Sequence, residues 1–279
     1  MVIARTVAEL RLAVADARKA GKTVGLVPTM GCLHAGHLAL VDLACREATC
    51  CVVSIFVNPS QFGPKEDFSK YPRPFEEDCR LCEGRGVDII FAPSADFYSA
   101  EHSTWIHEET VSKGLCGDFR PGHFRGVATV VLKLLNSCSP DVAIFGRKDL
   151  QQLAVIRRMV SDLDVPVRIV AAPTEREADG LAMSSRNRYL APEDRARARV
   201  ISEALRRTQA LVVAGEYQSA VLLAAATRQL ADESAFRLQY ITIVDRETMQ
   251  AVDKVTRGAS VIAVAGFLGE TRLIDNVDL

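Results

Sequence analysis

Apolar residues recur along this chain in two rhythms that take turns. From Thr6 to Ala20 they return at helical spacing, Thr6 and Glu9 form a capping box, and Gly21 supplies a stop, so a helix is predicted there. Thr23 to Val27 is instead a short unbroken apolar run ended by Pro28, the pattern of a buried strand. Leu38 to Ala48 returns to helical spacing, and Cys51 to Val57 (CVVSIFV) reads as a strand closed by Asn58-Pro59. The alternation continues with a helix at Pro74 to Gly84 and a strand at Val87 to Phe91. After a polar stretch beginning at Pro93 come a helix at Val127 to Asn136 and a strand at Val142 to Phe145. A helix at Leu150 to Ser161 and a strand at Val167 to Ala171 complete the series.

These strands are too continuously apolar to have one wet face. They predict an α/β fold, a doubly wound parallel sheet covered by helices on both sides. The alternation stops near Pro173, where a basic, helix-rich segment begins. Pro192 stands at a first helical position, with a helix running towards Gly215, and a second helix covers about Ser219 to Ala231. Strands at Leu238 to Val244, Ser260 to Phe267 and Thr271 to Ile274 close the chain. Two domains are therefore expected: residues 1–174, and a smaller α+β domain over 175–279.

Composition narrows the class. Hydrophobic residues at 48% and charged residues at 25% are those of an ordinary globular protein. With 34 Lys and Arg against 35 Asp and Glu, no global basic field exists to hold nucleic acid or an anionic membrane. The first twenty residues interleave charge with apolar positions, unlike a signal peptide, and no apolar run is long enough to span a bilayer. Eight cysteines are too dilute for a disulfide scaffold, so a cytoplasmic protein with reduced thiols is expected.

The candidate chemistry gathers where strands end. The first strand runs into Pro28-Thr29-Met30-Gly31-Cys32-Leu33-His34-Ala35-Gly36-His37, with a helix beginning near the second histidine. In a doubly wound sheet, ligands bind beyond the carboxyl ends of strands, where strand order reverses. A loop there that opens a helix offers backbone N–H groups and a positive dipole end to an anion, and His34 and His37 can both donate to one phosphate chain. No third ligand lies at a familiar spacing for zinc, and no residue is assigned to a metal. Asn58 and Gln61 end another strand with amides suited to a hydroxylated small molecule. In Gly146-Arg147-Lys148-Asp149, Lys148 can neutralise phosphate and Asp149 can hold ribose hydroxyls; Gln151 and Gln152 follow. Met183-Ser184-Ser185-Arg186 joins hydroxyl and guanidinium donors as a triphosphate clamp would, or alone forms an ordinary helix-capping turn, and Arg120-Pro121-Gly122-His123-Phe124-Arg125-Gly126, ahead of a helix, is a further candidate anion-facing loop. Neither G-x-x-x-x-G-K-[ST] nor G-x-G-x-x-G is present, which disfavours an ordinary kinase or dehydrogenase.

Taken in order, VPTMGCLHAGHLALV, SIFVNPSQFG, YPRPFEEDC, RPGHFRGV, FGRKD-x-QQL, DGLAMSSRNRYL and the terminal RLIDN resemble the pantothenate synthetase (pantoate–β-alanine ligase) family over nearly the whole chain. The His-x-Gly-His segment alone indicates only the wider nucleotidyltransferase superfamily; MSSRNR and NP-x-QF make the resemblance specific. It implies a Rossmann-like fold and ATP-dependent ligation of pantoate and β-alanine through pantoyl adenylate, with release of pyrophosphate and AMP. By the same resemblance His34, His37, Lys148 and Arg186 serve catalysis, with Ser184 and Ser185 on the triphosphate. Gly146 and Asp149 take the ribose, Met183 lies near adenine, and Gln61 and Gln152 grip pantoate beside Met30 and Asn58. Mg2+ bridging phosphate oxygens, a second domain that closes over the site and a homodimer are implied too. The alternative within the fold is a nucleotidyltransferase that keeps the nucleotide on its product. Cys32, Ser60 and Arg147 depart from residues common in the family, Arg147 by reversing a charge.

Other signals read more simply. Cys79-Arg80-Leu81-Cys82 has metal or redox spacing but lies on an amphipathic helix without a second such pair, so both thiols are expected to be packing residues. Arg195, Arg197, Arg199, Arg206 and Arg207 alternate with acidic residues as on a solvated helix face.

Overall fold

The computed structural model describes residues 1–64 and 66–279, with Ala95 described by its backbone alone. In chain order the elements begin β1 (Val2–Ala4), α1 (Val7–Lys19), β2 (Val24–Thr29), α2 (Ala35–Glu47), β3 (Cys50–Ile55), α3 (Phe75–Glu83) and β4 (Ile89–Phe91). They continue with α4 (Leu115–Phe119), α5 (His123–Cys138), β5 (Val142–Gly146), α6 (Leu150–Asp162) and β6 (Arg168–Ala172). The remainder is α7 (Pro192–Arg197), α8 (Arg199–Val213), α9 (Ser219–Ala231), β7 (Phe236–Asp245), β8 (Ser260–Leu268) and β9 (Thr271–Asp278). The chain forms two compact units. The first takes Met1–Glu108, Arg120–Arg147 and Val155–Pro173; the second takes Glu109–Phe119, Lys148–Ala154 and Thr174–Leu279.

The first unit is a doubly wound sheet. Its six parallel strands run in the order β1-β4-β3-β2-β5-β6. Strand order reverses between β2 and β5, which makes the carboxyl end of β2 a switch point. Val27, Val53, Ile90 and Ile144 form a core with Val41 and Ala44 of α2 and Cys82 of α3. α1 packs on α5 and α2 on α3. β1 was not expected: three residues are too short to show a rhythm, and only Ala4 of them is buried.

Pro28 does not stop its strand. It pairs in register with Ser54 of β3, while β2 meets β5 only at Gly25 and Leu26, so no ladder donor is needed from Pro28 on that side. α5 starts at His123, ahead of the apolar run, and α2 starts at Ala35 with His34 as its N-cap.

The second unit is α+β. β7, β8 and β9 form an antiparallel sheet in that order, packed by α8 and α9 around Ile201, Leu205, Leu222, Leu230, Ile262 and Val264. The helix expected to run from Pro192 breaks at Ala198, which closes α7 and opens α8. Arg195 pairs with Glu177 and Asp179, Arg197 with Asp194 and Glu233, and Arg199 with Glu203, as a solvated charged face does. No helix among the described residues is long and apolar enough to cross a membrane.

Candidate active site

The loop after β2 makes a tight turn before α2. Gly31 and Cys32 both take left-handed backbone conformations, φ 78° and 52°, an arrangement natural for glycine and strained for cysteine. Thr29 Oγ1 donates to Ser54 O (2.7 Å) and accepts from Gly31 N–H (3.1 Å), fixing the start of the turn. His34 then caps the helix: its Nδ1 accepts the Gly36 N–H at 3.1 Å. An accepting Nδ1 carries no proton, so the neutral ring bears its hydrogen on Nε2. His37, one turn further on, brings its ring centroid to 4.0 Å from that of His34. Two imidazoles thus share the positive end of α2 at the switch point.

Met30, Asn58 and Gln61 come together beside this loop. Gln61 Nε2 lies 3.1 Å from Met30 Sδ, and Gln61 Oε1 accepts from Asn58 Nδ2 at 3.0 Å. Asn58 is fully buried; its other amide hydrogen goes to Gly126 O (3.2 Å), and its Oδ1 accepts from Ser60 N–H and Ser60 Oγ. Its hydrogen-bonding capacity is spent within the protein, which makes it a holder of Gln61. Ser60 Oγ also reaches Tyr98 OH at 3.2 Å, so this hydroxyl is tied into the fold.

The Arg120–Gly126 segment, expected as an anion-facing loop, does something else. It is the entry and first turn of α5, where Arg120 and His123 turn onto the Gln61 turn while Arg125 lies over the Trp105 ring. Arg120 makes a two-pronged pair with Glu66 (2.6 and 2.7 Å), and its Nη1 lies 3.0 Å from His123 Nε2. Guanidinium only donates, so Nε2 accepts, and His123 Nδ1–H donates to Gln61 O at 2.8 Å. Burial works to raise the Glu66 carboxyl pKa, but Arg120 outweighs it and holds the group below the usual carboxylate range. These positioning residues went unrecognised because a charged, Gly-containing segment before a helix looks the same whether it faces a ligand or its own fold.

Gly146 ends β5, half-buried, with Leu40 Cδ2 4.0 Å from where a Cβ would stand. Arg147 continues the ladder through its N–H to Ala172 O. In the second unit, Asn276 Nδ2 donates to Lys148 O at 2.8 Å, and next to it Asp275 binds Arg176 through both carboxylate oxygens (2.7 and 2.9 Å). The RLIDN segment is thereby a holder of Lys148. Burial pushes the Asp275 carboxyl pKa up against the opposing pull of Arg176. Asp149 is exposed immediately before α6, and Gln152 is half-buried in the first turn of that helix. Gln151 is buried and structural: its Oε1 accepts Cys116 N–H, and its Nε2 lies 3.0–3.1 Å from the carbonyls of Val111, Lys113 and Gly114.

Ser184 and Ser185 open a short 3-10 turn, Ser185–Tyr189. Ser184 Oγ accepts the Arg186 N–H at 3.2 Å, and Met183 N–H pairs with Glu175 O at 2.9 Å. Asn187 Nδ2 ties the turn to Glu177 and Ala182 O. The first-unit residues Met30, His34 and His37 follow β2, Asn58 and Gln61 follow its neighbour β3, and the Gln61–Met30 contact joins the two groups, while Met183, Ser184, Ser185 and Arg186 sit together on one turn of the second unit. Cys79 and Cys82 lie on α3 as free thiols.

A doubly wound parallel sheet with a His-x-Gly-His loop at its switch point defines a class of α/β enzymes. Within it, the family model described as pantoate-beta-alanine ligase matches residues 2–278. The chain is 54% identical to pantothenate synthetase 1 of Bradyrhizobium diazoefficiens over 280 residues, covering 100% of this chain and 98% of that one. The crystal structure of pantothenate synthetase from Thermus thermophilus superposes with a TM-score of 0.95 at 46% identity, covering 100% and 99% of the two chains. That of pantoate-beta-alanine ligase from Francisella tularensis, complexed with beta-gamma ATP and beta-alanine, gives 0.82 at 33% identity, covering 100% and 97%. The chain belongs to the pantoate–β-alanine ligase family. It is a ligase that joins pantoate and β-alanine to form pantothenate.

Proposed function

We propose that this ligation runs in two steps on ATP. A pantoate carboxylate oxygen attacks the α-phosphorus and pyrophosphate departs, leaving pantoyl adenylate. The β-alanine amine then attacks the acyl carbon, and AMP leaves as the amide forms. Adenylation asks for positioning and charge neutralisation, with no protein nucleophile. The pair of imidazoles at the N-terminus of α2, 4.0 Å apart at the switch point, is the observation that carries this reading.

In this reading His34 donates from Nε2 to the phosphate chain, and His37 assists. Lys148, Ser184, Ser185 and Arg186 hold the triphosphate and the departing pyrophosphate. Gly146 and Asp149 take the ribose, and Met183 lies by the adenine. Gln61 and Gln152 grip pantoate beside Met30, with Asn58 acting by setting Gln61. The complex named for the Francisella relative supports ATP and β-alanine as substrates. Mg2+ would enter with ATP and help to neutralise the charge of the phosphates. The chain acts in the cytoplasm as a homodimer, a state that light scattering checks as twice the chain mass.

The test is release of AMP and pyrophosphate from ATP and Mg2+, with pantoate and β-alanine each present or omitted. AMP turnover that needs both acids, matched by pantothenate, is expected. Nucleotide retained on the product would assign a nucleotidyltransferase instead. If no mixture cleaves ATP, the Arg147→Glu variant separates a site disabled by that charge from a wrong choice of substrates.

A further inference from the structure

We propose that Asp78 is a positioning residue for adenylation, acting through the Gly31–Leu33 backbone to set the place of His34. The inference rests on the reading of His34 as a phosphate donor. Asp78 lies in the first turn of α3 beside Glu76 and Glu77. Those two are more open to solvent, whereas Asp78 is only 1% exposed. Its Oδ2 accepts the N–H of Cys32 at 2.9 Å and its Oδ1 accepts that of Leu33 at 2.8 Å. One buried carboxylate therefore grips two successive backbone donors immediately before His34.

The turn it grips needs holding. Gly31 and Cys32 are both left-handed, and Cys32 has no glycine's freedom there. A cavity of about 340 Å3, lined among others by Arg5, Met30, Gly31, Phe75 and Asp78, lies against the loop, so packing does not confine it on that side. The fit at the gripped face is close: a Cβ on Gly31 would stand 2.8 Å from Asp78 Oδ2 and 3.0 Å from Ile55 Cγ2. His34 follows directly as the cap of α2. Charge-assisted bonds to backbone N–H groups are the stronger kind, and here they fix the peptide that aims the ring.

The readouts are pantoate-dependent ATP–pyrophosphate exchange and the 15N resonances of the histidines, of which the chain has 5. Asp78→Asn puts an amide donor against backbone donors and should slow exchange about 100-fold, the scale of a misplaced catalytic group. It should also shift the His34 resonances while those of His102 and His107 stay in place. Combined with His34→Ala, it should slow exchange no more than about twofold beyond His34→Ala alone, because one residue acts through the other. Fully additive losses, or an unmoved His34 resonance, overturn the proposal.

Should Asp78→Asn fail to fold, Gly31→Ala decides, since it keeps the carboxylate and wedges the loop away from it. The same resonance shift and the same non-additivity are expected; normal exchange in that variant overturns the proposal. If His34→Ala alone leaves exchange unchanged, the phosphate role of His34 has failed, and the assignment of Asp78 to adenylation falls with it. A His34 shift in Asp78→Asn would then mark the structural linkage as sound and the functional reading as the fault.

Discussion

Glu66 and Arg120 show how a single residue's surroundings set both stability and the placement of Gln61. Their pair is largely shielded, with side-chain exposures of 25% and 13%, and Arg120 also contacts His123, which holds Gln61 O. The native Glu66 pKa lies below its ordinary value, so the unfolded chain binds the proton more tightly. The resulting stability is full above the unfolded carboxylate pKa and is lost as pH falls through the native one. Glu66→Gln is expected to cost about 2 kcal/mol at neutral pH by leaving Arg120 partly buried without its partner. Urea unfolding of both proteins across a pH series checks this: the gap should close on acidification, and a gap constant down to pH values where carboxylates are neutral would refute it. Arg186 gives a kinetic counterpart. Arg186→Ala should slow adenylate formation about 100-fold while pantoate still binds, by calorimetry, with near-native affinity; an unchanged rate would remove Arg186 from the triphosphate clamp.

α5 and the Pro59–Gln61 turn form one working element. Arg120, His123 and Gly126 recur every third residue, and each meets the turn: Arg120 and His123 through Gln61 O, Gly126 by backbone contact. A Cβ on Gly126 would collide with the Ser60 carbonyl and come within 2.7 Å of Gln61 N. Gly126→Ala should therefore cost about 1–3 kcal/mol as an overpacked contact and raise the KM for pantoate more than that for ATP. Equal effects on both substrates, or none, would detach this turn from pantoate. The opposite case is Thr6, whose capping box with Glu9 is formed as its spacing predicts (3.2 Å in both directions) within a single helix end. Thr6→Ala should lower stability by about 1 kcal/mol and leave kcat unchanged. Such elements are legible because their signals are local. The contacts of His123 and Asp78 are not: an aspartate among acidic residues at a helix start reads as a partner for the dipole, and only the tertiary fold brings the Cys32 and Leu33 N–H groups to it.

Across the whole molecule, hydrophobic rhythm carried the parallel sheet, the later antiparallel strands and the loop that opens α2. It could not reveal that Glu109–Phe119 and Lys148–Ala154 cluster with the C-terminal segment, because that membership depends on distant partners such as Asn276 with Lys148 and Gln151 with Val111. The thiols follow the same division. Cys116 belongs to the second unit and the other seven to the first, where Cys32, Cys50, Cys51, Cys82 and Cys138 are buried. Burial pushes the Cys82 and Cys138 thiols up to about 12 and raises those of Cys50 and Cys51 as well. A thiol held above the working pH supplies little of the reactive thiolate, and a buried one is also hard to reach. At pH 8 an aromatic disulfide reagent should therefore label Cys45 first and Cys79 and Cys116 more slowly. The five buried thiols should react only as the first unit unfolds, together along its denaturant transition. Rapid labelling of Cys82 or Cys138 in the native protein would show that the packing of α3 and α5 against the sheet opens far more readily than their burial implies.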